Sequence, residues 1–210
     1  MYRRLFGRPD RAIVSSFFSA TARRAGVTIA GAVIRPEVRR VAPTVGDYLL
    51  AYVSKGHAEF TPALRKALAG CRWPVRVYGT GEQGQQGNLQ FKPVDNLAFI
   101  NDLAGCRAVL TTTGNQLLGE ALYYGKRVLG MPIDCLEQRL NERQLETLGF
   151  GRRIDPRRVT AGEIRGFLES IEHTGAGRVG EVGDGAAEAI AAIDRCVGEL
   201  VWPSPEGSPP

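Results

Sequence analysis

Apolar runs of strand length alternate with helical patterns along the chain from Asp47 onward. The runs lie at 48–53, 75–78, 89–91, 108–110 and 127–132. Most of them are near-continuously apolar rather than alternating, which is typical of strands buried on both faces. Between them, apolar residues recur every three or four positions and predict amphipathic helices. This alternation predicts an α/β fold with a parallel sheet, helices on both of its faces and right-handed crossovers.

Start and stop signals mark the predicted helices. They are an N-cap at Thr61 followed by Pro62, an N-cap at Asp95, stops at Gly70, Gly105 and Gly149, and a capping box of Thr160 and Glu163. A last helix follows a glycine-rich hinge at 174–185, and its apolar positions are Ile190, Ile193, Val197 and Leu200. Because these residues recur at three- and four-residue spacing, we predict that they pack inward.

Residues 1–40 differ from the rest of the chain. Ala12-Ile13-Val14 and Val27-Thr28-Ile29-Ala30 are short strand-like runs, but no long helical pattern lies between them. This is too little to form a core of its own. We therefore predict a short leading segment at 1–40, one main domain with a C-terminal helix at 41–202, and a disordered tail at 203–210.

The segment 108–125 predicts a strand, a tight glycine turn and a helix. An apolar run at 108–110 ends shortly before Gly114, where a helix can begin. The start of a helix presents unpaired N–H groups and the positive end of the helix dipole, so a phosphate is its usual occupant. We therefore predict an anion-binding turn at Gly114, to which Thr113 and Asn115 add side-chain donors.

Glu120 lies on the same predicted helix, away from its apolar face, so we predict that its carboxylate is free to bind a polar group. At a rise of about 1.5 Å per residue, it lies about 9 Å along the helix axis from Gly114. This separation suits a carboxylate that accepts from ribose hydroxyls while the turn holds the attached diphosphate. The alternative is an ordinary solvated glutamate.

Four turns are predicted to meet at the carboxyl ends of the strands, where ligands bind on such sheets. They are the turns at 54–57, 92–96, 112–115 and 132–138. Near the last turn, Gln138 shares a helix face with Asn141. Their amides suit sugar hydroxyls because each can both donate and accept. Helix capping and solvation are the alternative for these amides.

The other motifs carry less information. Gly79-Thr80-Gly81-Glu82-Gln83-Gly84 matches the dinucleotide pattern, but a strand is predicted after it where that motif needs a helix, so we predict a flexible loop. The four cysteines, Cys71, Cys106, Cys135 and Cys196, lack metal-ligand spacing. We therefore expect no metal site, and free thiols in a reducing cytoplasm.

The net charge of +5 comes mostly from arginine. Arginine pairs occur at 3–4, 23–24, 39–40, 152–153 and 157–158. Such pairs can contact phosphates, nucleic acid or an anionic membrane surface, but a solvated basic surface is the default interpretation. No aromatic residues interleave with these pairs, so nucleic acid is the least favoured partner.

Taken together, these residues resemble the C-terminal, donor-binding domain of GT-B glycosyltransferases. The resemblance covers about 47–170 and is strongest to the lipid II-forming N-acetylglucosaminyltransferase and to teichoic-acid-type UDP-sugar transferases. It rests on the segments 88–93, 99–106, 113–115, 120–122, 125–126 and 137–138, and on Pro132 and Asn141. The resemblance implies a Rossmann-like domain that is one half of a GT-B fold.

The resemblance also implies a binding site for a UDP-sugar donor, with no further cofactor. The resemblance implies that the backbone near Phe91, Pro93 and Val94 receives the uracil base, that Glu120 binds ribose, and that Gly114 and Asn115 bind the diphosphate. Gln138 and Asn141 are the implied contacts of the donor-sugar hydroxyls, and Thr113 and Glu137 are further donor contacts. Lys55, Gly56 and His57 are additional candidates for the diphosphate. A lone loop histidine such as His57 is more often incidental.

Members of the group have a second, N-terminal domain that carries the acceptor site and usually the catalytic base. Residues 1–40 resemble only the end of that domain and the linker after it, so no catalytic base is assigned. The sequence hypothesis is a glycosyltransferase donor half that transfers a hexosyl group to an acceptor, which in related enzymes is often lipid-linked. A UDP-sugar-binding subunit completed by a partner chain and a UDP-sugar 2-epimerase are the alternatives. A cytoplasmic location, peripheral to a membrane, is expected.

Overall fold

The structure is a computed structural model in which residues 9–54, 59–131, 133, 135–175 and 177–201 are described. Two short strands, β1 (Ala12–Ser15) and β2 (Val27–Ala30), pair with each other in parallel. The strands of the main sheet are β3 (Leu49–Tyr52), β4 (Val75–Tyr78), β5 (Gly84–Gln86), β6 (Leu89–Lys92), β7 (Ala108–Thr111), β8 (Arg127–Gly130) and β9 (Gly151–Arg153). Their order across the sheet is β5-β6-β4-β3-β7-β8-β9, and every neighbouring pair is parallel except β5 with β6.

Helices cover both faces of the main sheet. They are α1 (Pro36–Arg39), α2 (Pro62–Ala69), α3 (Asn96–Gly105), α4 (Asn115–Tyr123), α5 (Leu136–Thr147), α6 (Ala161–Thr174) and α7 (Ala186–Val201). One apolar cluster joins Leu49 of β3 to residues of α2 and α6, and a second joins Leu50 to residues of α3 and α4. Successive strand residues point to opposite faces. The predicted α/β fold is confirmed.

The helix signals in the sequence act as predicted. The hydroxyl of Thr61 accepts from the backbone N–H of Leu64 at 3.1 Å, and the carboxylate of Asp95 accepts from that of Ala98 at 2.7 Å. Thr160 and Glu163 form both hydrogen bonds of a capping box. These side chains pair N–H groups that a helix start leaves without a partner.

The register of the sheet places several strand ends side by side. Tyr52, at the end of β3, is opposite Tyr78 of β4 and Thr111 of β7. Because these strands are parallel, the turns that follow them emerge at the same edge. This edge is where the sequence predicts a binding site.

The segment that leads from β2 to β3 is held by hydrogen bonds to residues that follow α4. The hydroxyl of Tyr124 donates to the carbonyl of Val38 at 2.6 Å. The ammonium of Lys126, which is 2% exposed, donates to the carbonyls of Thr44 and Cys106. Burial lowers the pKa of Lys126. We call residues 31–46 the connector.

The prediction for the last helix is wrong about which face is buried. Ile190, Ile193 and Val197 are 57%, 50% and 50% exposed, whereas Ala192 is 1% exposed. The helix packs on β1 and β2, and its start is so close to the end of β2 that a Cβ on Gly185 would lie 2.4 Å from backbone atoms of Gly31. Such an approach admits only small residues, so the alanine face turns inward. The side chain of Leu200 lies outside the described side chains.

The flexible loop predicted at 79–84 is also partly wrong. Gly84 begins β5, which pairs with β6 in an antiparallel hairpin. The absence of a helix from this stretch agrees with the rejection of the dinucleotide motif. Gly79 has a φ of +85°, and a Cβ there would lie 1.8 Å from the carbonyl oxygen of Val53, so the close approach of two strand ends requires a glycine.

The division into residues 1–40 and 41–202 stays a prediction, and the tail predicted at 203–210 lies outside the described residues. None of the helices in the described part of the chain has the length and apolar content needed to cross a bilayer.

Candidate functional site

A cleft of about 900 Å³ opens at the carboxyl ends of the strands. The structure brings residues from all four predicted turns to it, namely Ser54, the segment 94–96, Thr112 with Gly114 and Asn115, and Glu137 with Gln138. Residues from the connector and from α4 complete its wall, among them Arg35, Gln116, Leu117 and Glu120. A concave site built from several strand ends is the usual ligand site of such a sheet.

The start of α4 lies in this cleft. Gly114 is its N-cap and supplies no side-chain hydrogen bond, so the first N–H groups of the helix have no capping side chain. The turn before it is fixed to α5, because the hydroxyl of Thr113 donates to the carbonyl of Gln138 at 2.7 Å and the amide of Asn141 donates to the carbonyl of Thr113 at 2.9 Å. These contacts hold the start of α4 in place.

Thr111 is one of the residues that line the cleft, and its side chain carries an unusual polar atom. The residue is fully buried, and its hydroxyl has no hydrogen-bond partner among the described residues. Buried hydroxyls are almost always paired, so an unpaired one beside a cleft marks a place for a ligand atom or a water molecule.

Glu120 is neither free nor solvated, which corrects both sequence interpretations of its environment. It is 1% exposed, and Arg35 holds its two carboxylate oxygens through Nε at 2.6 Å and Nη2 at 2.8 Å. The amide of Gln116 donates to Oε1 of Glu120 at 2.8 Å. A charged helix residue turned toward the cleft needs such partners because burial without them is costly.

A second buried carboxylate lies behind the cleft. Asp102 is 6% exposed and pairs with Arg76 at 2.5 Å and with Lys92 at 2.6 Å, and it accepts from the hydroxyl of Tyr78 at 2.6 Å. Burial, together with this hydrogen bond, raises the pKa of Tyr78. The ring of Phe99, which lines the cleft, packs edge-on against Tyr78 at 5.1 Å. The network therefore supports the cleft wall from within the sheet.

The residues predicted to receive a base lie in different surroundings. Val94 lines the cleft and is 72% exposed. Phe91 is buried in the core on the side of α2, where its ring packs against Phe60. Pro93 is exposed between them and does not line the described cleft. The roles of all three stay predictions, as do those of Lys55, Gly56 and His57, which lie outside the described residues.

The polar residues predicted to contact the donor sugar, and Asn115, which was predicted to contact the diphosphate, also lie in different surroundings. Glu137 and Gln138 line the cleft, and Oε1 of Gln138 accepts from the N–H of Ile133 at 3.1 Å. Asn141 is 4% exposed, and its amide is engaged with the turn before α4. Asn115 lines the cleft, but its amide donates to the carbonyl of Ser15 at 3.0 Å. Several of these amides therefore form hydrogen bonds within the protein that hold the wall of the cleft in place.

Other cleft residues were not singled out from the sequence. Arg35 belongs to a stretch that reads only as a linker, and Tyr52 and Phe99 read as ordinary core residues. Asp95 and Asn96 belong to the turn at 92–96 that was predicted to reach the site, but neither was given a role in binding beyond the N-cap at Asp95.

Residues 1–172 match the family described as Glycosyl transferase family 1. The chain belongs to this family. No curated protein sequence matches it. Because the match includes the connector and the whole main sheet, the cleft is part of the family's shared region.

Several solved glycosyltransferase structures have a similar fold. The glycotransferase of kitacinnamycin is 16% identical, with a TM-score of 0.60, and the match covers 94% of this chain and 53% of that one. The calicheamicin glycosyltransferase CalG4 is 19% identical, with a TM-score of 0.53 and coverage of 85% and 50%. MurG of Acinetobacter baumannii is 15% identical, with a TM-score of 0.53 and coverage of 90% and 60%. The fold is that of one half of a GT-B glycosyltransferase, and the chain spans about half the length of these structures.

Proposed function

We propose that this chain is the donor-binding half of a glycosyltransferase and that its cleft binds a UDP-sugar. The observation that carries the proposal is the start of α4, which lies in the cleft without a capping side chain. Such a helix start favours a phosphate group. The unpaired hydroxyl of Thr111 supplies a further polar group beside it. Membership of the family supports a transferase rather than another nucleotide-binding protein.

In this proposal the base, the diphosphate and the sugar of the donor lie in order along the cleft. The base lies near Val94, the diphosphate at Gly114 and the sugar near Glu137 and Gln138. Glu120 accepts three hydrogen bonds within the protein. A carboxylate has about four acceptor sites, so one ribose hydroxyl can still donate to it. Buried residues such as Asn141 would hold the cleft in shape.

The proposed reaction is a direct displacement at the anomeric carbon of the donor sugar. An acceptor oxygen forms the new bond, while the bond from carbon to the diphosphate oxygen breaks and UDP leaves with the electron pair. The start of α4 stabilises the negative charge that develops on the leaving diphosphate. We propose no cofactor beyond the UDP-sugar substrate and assign no catalytic base.

We propose a lipid-linked acceptor, with the chain held at an anionic membrane surface by its arginine pairs. Arg23, Arg24, Arg157 and Arg158 are exposed. Sedimentation with phosphatidylglycerol vesicles tests this proposal. We expect binding that falls as salt is added, because screening shortens the range of surface charge. Equal binding to neutral phosphatidylcholine vesicles would contradict it.

Calorimetric titration with UDP, UDP-glucose and UDP-N-acetylglucosamine tests the donor site. The variant Leu117→Asp places a negative charge on the first turn of α4, where it suits the helix dipole but repels a bound diphosphate. Leu117→Asn is the matched control, because it has the same shape without the charge. We expect UDP to bind about tenfold or more weakly to the Asp variant than to the Asn variant.

Equal affinities of the two variants would place the phosphates elsewhere, and failure of the wild-type chain to bind UDP would refute the donor site. Release of UDP from a UDP-sugar then reports turnover. Binding without release would favour the binding-subunit alternative. Inversion of the sugar at C2, followed by NMR, would favour the epimerase.

A further inference from the structure

Arg35 lies on the wall of the cleft and has no role assigned from the sequence. Its side chain is 35% exposed, whereas that of Glu120, its partner, is 1% exposed. A molecule in the cleft therefore meets the guanidinium of Arg35 before it meets the carboxylate. The group that faces the ligand at this end of the cleft is the cation of the pair.

The guanidinium has hydrogen-bond donors to spare. It carries five N–H groups. Three of them are engaged, two with Glu120 and one with Oδ1 of Asn96 at 2.5 Å. Two therefore remain, one on Nη1 and one on Nη2. Because Glu120 and Asn96 already hold the guanidinium, a ligand that uses these two donors pays little further side-chain entropy.

Arg35 also supplies the charge that an anionic ligand needs. Among the described residues that line the cleft, it alone carries a formal positive charge, while Asp95, Glu120 and Glu137 are acidic. A diphosphate in such surroundings requires a cation close by. The planar fork of an arginine matches the oxygens of a phosphate. The hydrogen bond with Glu120 raises the pKa of Arg35, which keeps the guanidinium charged.

We infer that Arg35 is a donor-contacting residue whose guanidinium, positioned by Glu120 and Asn96, donates its two remaining N–H groups to phosphate oxygens of the nucleotide. This inference rests on the proposed function, since it takes the cleft as the nucleotide site. Gln116, on the first turn of α4, donates to the same carboxylate at 2.8 Å. Arg35 is thus linked through one shared carboxylate to the turn where the diphosphate is expected. Glu120 then has two tasks, because it positions Arg35 and accepts from ribose.

The test compares UDP with uridine, which has the same base and ribose but no phosphates. Arg35→Gln removes the charge and keeps an amide that can donate to Glu120. Arg35→Lys keeps the charge and removes the fork. We expect Arg35→Gln to weaken UDP binding about tenfold or more, the size of a charge-assisted hydrogen bond, and to change uridine binding much less. Arg35→Lys should recover part of the lost UDP affinity.

Equal losses for UDP and uridine would overturn the inference, because Arg35 would then act only through Glu120. Tighter binding of both ligands would also overturn it, since Arg35 would then compete with ribose. Circular dichroism and thermal unfolding establish that each variant is folded. If Arg35→Gln does not fold, a UDP-specific loss in Arg35→Lys decides the question. The wild-type titration with UDP decides the proposed function separately.

Discussion

Thr111 is the last residue of β7 and Thr113 lies in the turn that leads into α4, and both are fully buried. Their hydroxyls differ in one respect. That of Thr111 has no partner among the described residues, whereas that of Thr113 donates to the carbonyl of Gln138 at 2.7 Å. Valine has the shape of threonine without the hydroxyl. We therefore predict that the same substitution has opposite effects on stability at the two positions.

The size of each effect follows from its hydrogen bonds. A buried polar group without a partner costs about 1–3 kcal/mol, so Thr111→Val should raise the free energy of unfolding by about 1 kcal/mol or more. For a chain of this size, 1 kcal/mol corresponds to about 2–4 °C in Tm. Thr113→Val leaves the carbonyl of Gln138 without this donor, so the free energy of unfolding should fall by about 1 kcal/mol.

Urea unfolding followed by circular dichroism measures both changes, and each variant is the control for the other. Titration with UDP adds a functional measurement. If the Thr111 hydroxyl contacts the donor, Thr111→Val should weaken UDP binding by about two- to tenfold, the range for a neutral hydrogen bond. A loss of stability in Thr111→Val would refute the reasoning, because it would show that the hydroxyl is already paired. Unchanged UDP affinity would show that the donor does not use it.

Two further predictions concern the buried carboxylate of Asp102 and the partly buried carboxylate of Asp184. Asp102→Asn should lower the free energy of unfolding by about 2–4 kcal/mol, after allowance for the partial exposure of its two cationic partners. Urea unfolding measures this change, with the exposed Asp194→Asn as the control. A loss no larger than that of the control would contradict the prediction. Burial acts to raise the pKa of Asp184, but hydrogen bonds from the N–H groups of Ile34 and Ala186, together with a neighbouring arginine, lower it below its ordinary value of 3.8. Its stabilising effect is therefore complete above pH 3.8 and is lost as the pH falls through the lower folded-state pKa. Asp184→Asn should be less stable at neutral pH and lose less stability in acid, and parallel acid unfolding curves for wild type and variant would contradict this.

The sequence was sufficient for the strands β3, β4, β6, β7 and β8, because each contains a short run of mostly apolar, buried residues. The edge strands β5 and β9 were not predicted, because their residues are polar and largely exposed. The capping residues at Thr61, Asp95 and Thr160 are local signals that need no tertiary information. The last helix shows the limit of periodicity. The spacing of Ile190 and Ile193 identifies an apolar stripe, but the contact with β2 selects the alanine face, and that selection depends on a close approach that no spacing reveals.

The candidate site also has one part that the sequence predicts and another part that only the fold reveals. The turn at Gly114 was predictable because strand, turn and helix are adjacent in sequence. Arg35 was not, because its contact with Glu120 spans 85 positions of sequence. The amide of Asn141 could equally bind a sugar or a backbone carbonyl, and only the fold decides that it contacts Thr113.

The hydrogen bonds that hold the connector determine where this domain can be cut when it is transferred into another protein. Glu120 accepts a hydrogen bond from Arg35. Tyr124 donates to the carbonyl of Val38, and Lys126 donates to the carbonyl of Thr44. A chain cut at residue 41 would leave the buried carboxylate of Glu120 without its counter-ion. Such a loss costs about 3–5 kcal/mol in fully buried pairs and less here, because the side chain of Arg35 is 35% exposed. A transplantable piece that keeps this ion pair therefore begins ahead of Arg35. Chimaeras that exchange nucleotide-binding halves within the family should be joined ahead of residue 31, so that the whole connector travels with α4.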